Sequence, residues 1–186
     1  MKKLPGLKRL QNYDYTQPAA YFITVVTHER KTLFGQINKG KVILSHAGNL
    51  VRLVWLDLAQ RFPYIELDLF CVMPNHFHGI IIYLELENKK FENKIGGLGL
   101  DGKQHPNRQP INQIYNSNRF PLSEVIRIFK ASTSRGVNRL NKEISPLWQR
   151  NFYEHVVRNE DDLERIREYI LNNPINWDMD EENRSK

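Results

Sequence analysis

The 186-residue chain contains a single cysteine, Cys71. That excludes an internal disulfide framework and any zinc site built on several thiolates, and it suits a reducing compartment. No run approaches the roughly 20 uninterrupted apolar residues of a membrane span. The N-terminus, MKKLPGLKRLQNYDY, starts basic but lacks the apolar core of a signal peptide. These absences read as a cytoplasmic protein with no membrane partner. None of the glycine-containing stretches has the spacing of a phosphate-binding loop, so no nucleotide-driven step is expected. Charge is present but lopsided: 27 Lys and Arg against 21 Asp and Glu give a net +6. A polyanionic partner is compatible with that balance, as is an ordinary solubility charge. The length fits one domain, large enough to bury on the order of 70% of its unfolded surface.

The hydrophobic pattern alternates between periods. Residues 20–28, AYFITVVTH, read as a strand. From Ser45 to Arg61 the period becomes helical, with Ala47, Leu50, Val51, Val54 and Leu58 on one face, Ser45 as N-cap and Pro63 beyond the end. ELDLFCVM (66–73) and HFHGIIIYLE (76–85) follow as two strands joined by a hairpin at Pro74-Asn75. Between Glu87 and Phe120 the pattern collapses into four Gly, six Asn and two Pro, which reads as a flexible insertion. A helix resumes at Pro121, with Val125, Phe129, Gly136 and Leu140 facing one way. A short strand, NFYEHVV (151–157), comes next. The last helix opens on Asn159 as N-cap, with three acids in its first turn, and runs to about Asn172. After Trp177 a polar, frayed tail is expected, with 179–186 outside a single domain of residues 1–178. The order β-α-β-β-(insertion)-α-β-α fits an α+β fold with a ferredoxin-like antiparallel sheet and helices packed on it.

The residues best suited to chemistry are Asn75-His76-Phe77-His78. Side chains alternate along a strand, so His76 and His78 project from one face, near enough to share a metal ion. Two half-exposed strand histidines are the plainer alternative, but uncoordinated imidazoles on an otherwise apolar central strand would be costly to bury. Gly79 leaves room for a group to approach the backbone. In the last helix, Leu163, Ile166 and Ile170 form the buried stripe and Tyr169 flanks it, with Arg165 and Asn173 four residues to either side. Packing is the usual role of such a tyrosine. A phenol becomes a nucleophile when a nearby cation stabilises its oxyanion. Asn173 also suits a helix end, since Pro174 disfavours α geometry at the residue before it. Tyr153 is a rival nucleophile that shares a strand face with His155.

Basic residues are grouped in two places. Lys8 and Arg9 precede Tyr13 and Tyr15, a combination suited to the phosphates and bases of a single strand. Arg127 and Lys130 share a helical face with Ser134, which is a solvated face unless phosphate binds there.

The segments Tyr13-Asp14-Tyr15, YFITVVTHER, MPNHFHGIII, WQRNFYEHVVR and DDLERIREYILNNPINW, in this order, resemble the REP-associated tyrosine transposases of the HUH single-strand transposase superfamily. The resemblance covers nearly all of the chain apart from the insertion and the last residues. It implies a protein that recognises a hairpin in single-stranded DNA and cleaves beside it. It further implies Mg²⁺ or Mn²⁺ held by His76 and His78, with Asn173 as a third ligand, and Tyr169 as the nucleophile that forms a 5′-phosphotyrosine. With that function, Lys8, Arg9, Tyr13, Tyr15, Arg127 and Lys130 become DNA-contact candidates. The active species would be a monomer or a homodimer. A hairpin-binding protein of the same fold that does not cleave is the alternative.

Overall fold

A computed structural model describes residues 13–85, 119–140, 146–180 and 182–183. Six strands and three α-helices appear there: β1 (Ala19–Val26), β2 (Gly35–Asn38), β3 (Lys41–Leu44), α1 (His46–Arg61), β4 (Ile65–Val72), β5 (His76–Tyr83), α2 (Leu122–Leu140), β6 (Tyr153–Val156) and α3 (Glu160–Asn172). The main sheet has the order β4-β5-β1-β6 with antiparallel neighbours. This is the split β-α-β arrangement that the element order implies. The expected insertion lies outside the described residues except for Arg119 and Phe120, as do Lys8 and Arg9.

Local chemistry sets the boundaries. Ser45 Oγ accepts from Gly48 N at 3.1 Å and starts α1, and Asn159 Oδ1 accepts from Asp162 N at 2.9 Å and starts α3. The β4–β5 hairpin closes with Met73 N donating to His76 O at 2.9 Å. β2 and β3 form a small separate hairpin that the sequence reading passed over. Its turn is Lys39-Gly40, both at positive φ (50° and 71°), as a two-residue hairpin loop requires.

The sheet has two covered faces. Tyr21, Ile23, Val25, Phe77 and Ile81 belong to a large apolar core with α1 and α2, to which Trp55, Leu58, Val125 and Phe129 contribute. Phe22 and Ile80 point the other way and pack under Ile166 and Ile170 of α3. Gly79 serves the first face: a Cβ there would lie 2.6 Å from the Trp55 indole. The room expected for an approaching group is therefore occupied by the protein's own core. Leu140, expected on the buried stripe of α2, is 55% exposed. Val137 is buried instead, and Gly136 faces Leu50 of α1, 2.7 Å from where a Cβ would stand.

Helix α3 is tied to both sheet edges. On β6, His155 Nε2 and Asp162 Oδ2 are 2.7 Å apart, both side chains buried. On β4, a register shift between Leu67 and Phe70 re-aims Asp68 toward Arg167, with contacts at 3.1 and 2.5 Å. The described residues beyond α3 are held by contacts to the body of the protein. A 3₁₀ turn, Trp177–Met179, leads to Asp180, and Glu182 pairs with Arg30 at 2.6 Å.

Candidate metal and tyrosine site

The register puts His78 opposite Thr24 on β1 and Cys71 on β4, and His76 opposite Val26. Both imidazoles thus face α3, with ring centroids 4.5 Å apart, and both are buried. His76 Nδ1 lies 2.8 Å from Asn75 Oδ1, while His76 Nε2 is buried without a hydrogen-bond partner. His78 Nδ1 lies 2.8 Å from Thr24 Oγ1, and His78 Nε2 lies 3.4 Å from the Tyr169 hydroxyl. Phe22 stacks on His78 at 5.4 Å and meets Tyr169 edge-on at 6.0 Å, so one aromatic side chain orients both reactive rings.

Asn173 keeps helical backbone angles (φ −57°, ψ −44°) despite Pro174. The expected departure from the one-turn spacing to Tyr169 does not occur. Its side chain is buried, with Nδ2 donating to Asp180 Oδ2 at 2.8 Å and Oδ1 left without a partner. Asp180 is the residue that sequence reading missed. One ligand atom each from His76, His78 and Asp180 lie within 4.8 Å of one another, so the three could hold a metal ion. Only its position in the acidic run Asp178 to Glu182 marked it, and such a run reads equally well as solvated tail.

Burial pushes His76 down to about 3, partly offset by the neighbouring Asn173 side chain. His78 is held well below the usual histidine range, first by burial and then by His76, with Asp180 opposing. Both rings are therefore neutral at physiological pH, the form that binds metals. An orphaned imidazole nitrogen and an orphaned amide oxygen, both buried beside a carboxylate, are costly without a ligand. The donor set fits a divalent cation.

The other candidates fall away from this point. Tyr153 is 50% exposed on the edge strand opposite Thr24, and His155 is engaged by Asp162. Arg165 pairs with Asp162. Tyr15 is 5% exposed, packed against Tyr13 (4.9 Å) and Tyr21 (5.7 Å), so its ring belongs to the core and cannot stack on a base. Tyr13 is part-buried over the same cluster. Lys130 directs its ammonium to the carbonyls of Gln149, Arg150 and Asn151 at 2.7, 2.9 and 3.3 Å. It fixes the loop entering β6 instead of offering free charge. Arg127 stays exposed, paired with Glu124 at 2.7 Å. No helix among the described residues is long and apolar enough to cross a membrane.

A split β-α-β sheet thus carries paired histidines on a central strand, opposed by a tyrosine from the last helix. No protein-family model matches the chain. Over 173 residues it is 36% identical to an uncharacterized protein of Haemophilus influenzae, spanning 93% of this chain and 89% of that one. A second Haemophilus influenzae protein, provisionally named a REP-associated tyrosine transposase, is 26% identical over 168 residues, 89% of this chain and 77% of the relative. In fold, the chain is similar to a solved REP-associated tyrosine transposase bound to a REP hairpin, with a TM-score of 0.56 at 17% identity over 92% of this chain and 74% of the other. In sequence and in fold the chain is thus similar to the REP-associated tyrosine transposases.

Proposed function

We propose that this protein is a metal-dependent transposase or nickase of single-stranded DNA that recognises a hairpin and cleaves beside it by transesterification. The observation that carries the reading is the 3.4 Å approach of the Tyr169 hydroxyl to His78 Nε2, beside the unpartnered His76 Nε2 and Asn173 Oδ1 and the Asp180 carboxylate. Similarity to a REP-associated tyrosine transposase relative supports transposase chemistry, and the similar fold solved on a REP hairpin supports hairpin DNA as the ligand. The single cysteine supports a reducing, cytoplasmic setting.

His76, His78, Asp180 and Asn173 would hold Mg²⁺ or Mn²⁺. Such an ion supplies polarisation of a scissile phosphate and offsets the charge that develops on it. Tyr169 Oη attacks phosphorus, the bond from phosphorus to the 3′-oxygen breaks, and the products are a 5′-phosphotyrosine and a free 3′-hydroxyl. Attack by a different 3′-hydroxyl reverses the step and transfers the strand. The phosphoester is conserved in the protein link, so no nucleotide hydrolysis is required. Lys8, Arg9 and Arg127 would contact phosphates and Tyr13 a base. Lys130 and Tyr15 act through the loop and the core that they hold.

A hairpin-bearing oligonucleotide mixed with protein and Mn²⁺ is expected to give a covalent adduct on a denaturing gel, and Tyr169→Phe none. An adduct that persists in Tyr169→Phe overturns the assignment. Tight hairpin binding without an adduct, indifferent to metal and to His76→Ala, identifies a non-cleaving DNA-binding protein instead.

A further inference from the structure

The geometry points to Asn75 as the residue that fixes the tautomer of His76 and so turns the Nε2 lone pair into the metal site; this rests on the metal-site reading above. An asparagine amide is ambiguous in orientation until its neighbours are counted. At Asn75 they settle it. The nitrogen Nδ2 lies 3.2 Å from the carbonyl of Arg30 and 2.6 Å from the carbonyl of Glu182, and carbonyls can only accept. Oδ1 must then be the atom 2.8 Å from His76 Nδ1. An amide oxygen can only accept as well, so Nδ1 carries the proton. The remaining ring nitrogen, Nε2, is left as a bare lone pair, buried and without a partner. The main chain of Asn75 is itself anchored, because its carbonyl accepts from the backbone N of Thr27 at 2.9 Å.

The second histidine lacks this constraint. Thr24 Oγ1 stands 2.8 Å from His78 Nδ1, but a hydroxyl both donates and accepts, so it fits either tautomer. The two imidazoles therefore have different supports: His76 is preset for coordination, whereas His78 can change tautomer when an ion arrives. A histidine whose far nitrogen is held by a fixed acceptor is a better and better-oriented ligand, and loss of that acceptor generally costs 10- to 100-fold in metal affinity. Asn75 is thus a positioning residue for the site.

Long-range ¹H–¹⁵N spectra of the metal-free wild-type protein at neutral pH test the claim without any substitution. His76 is expected as the Nδ1–H tautomer, and an Nε2–H tautomer overturns the inference. Mn²⁺ titration calorimetry gives the second readout. Asn75→Ala is expected to bind Mn²⁺ about 10- to 100-fold more weakly than wild type, while Asn75→Asp, which keeps an acceptor at Nδ1 but loses both donors, retains most of the affinity. Equal affinity of Asn75→Ala and wild type overturns the inference, as does equal loss in a folded Asn75→Asp. If wild type binds no Mn²⁺, the metal reading fails on its own, and the tautomer spectrum still decides the role of Asn75.

Discussion

Along β5, Phe77, Gly79 and Ile81 face α1 and α2, while His76, His78 and Ile80 face α3. Burial achieves different things on the two sides. Phe77 lies 4.6 Å from Trp55 and 5.2 Å from Phe129 by ring centroids, so its environment is saturated with apolar contacts that stabilise the fold. His76 is equally inaccessible, yet it has a buried nitrogen with no partner. One face therefore contributes stability and the other sacrifices some of it to hold polar groups ready, a division expected of a functional site on a rigid strand.

Substitutions at adjacent positions should separate these roles. Phe77→Ala is expected to lower unfolding free energy by about 3–5 kcal/mol, read by urea titration. His76→Ala, one residue away, should cost little or even stabilise the metal-free protein while abolishing tight Mn²⁺ binding. A large stability loss in His76→Ala would erase the distinction between the faces.

Acid should attack the polar face first. His76 and His78 have depressed values in the folded state, so the folded protein binds fewer protons than the unfolded chain. Their stability contribution is full above the ordinary histidine value of about 6.5 and is lost as pH falls toward the folded value of about 3 for His76. Thermal melts of metal-free protein should shift to lower temperature as pH falls across that window. His76→Ala should flatten the slope, and an unchanged slope would mean that the histidine is not the group titrating.

Gly79→Ala tests the apolar face by overpacking. Its Cβ would press on the Trp55 ring at 2.6 Å, and a loss of about 1–3 kcal/mol is expected with Mn²⁺ affinity nearly unchanged. At the small end, Arg127→Ala should alter stability by less than about 0.5 kcal/mol, since its pair with Glu124 is exposed. It should still reduce the salt sensitivity of DNA binding by about one phosphate contact. Lys130→Ala should act the other way, lowering stability through the loop carbonyls that it bonds.

The legible part of this protein was whatever local pattern determines. Alternation along β5 put both histidines on one face, the helical period put Tyr169 beside the Ile166 and Ile170 stripe, and the caps Ser45 and Asn159 appear where read. What sequence did not reveal depends on distant contacts. Asp180 looks like Asp178 until the chain turns back and Asn173 bonds it. Lys130 looks like a free phosphate ligand until the loop at 149–151 arrives to accept its protons. Tyr15 looks stackable until Tyr21 covers it. The β2–β3 hairpin was marked only by Gly40, in strands of four residues each, too short for a clear period.

The central claim, that the polar face of β5 and α3 form one DNA-cleaving site, is tested most directly by proteolysis and mass spectrometry of the protein after reaction with a hairpin-bearing oligonucleotide and Mn²⁺. The account predicts a 5′-phosphoryl nucleotide on the peptide that contains Tyr169. A nucleotide on the peptide containing Tyr153 would contradict it, as would the absence of any modified peptide across a broad hairpin panel.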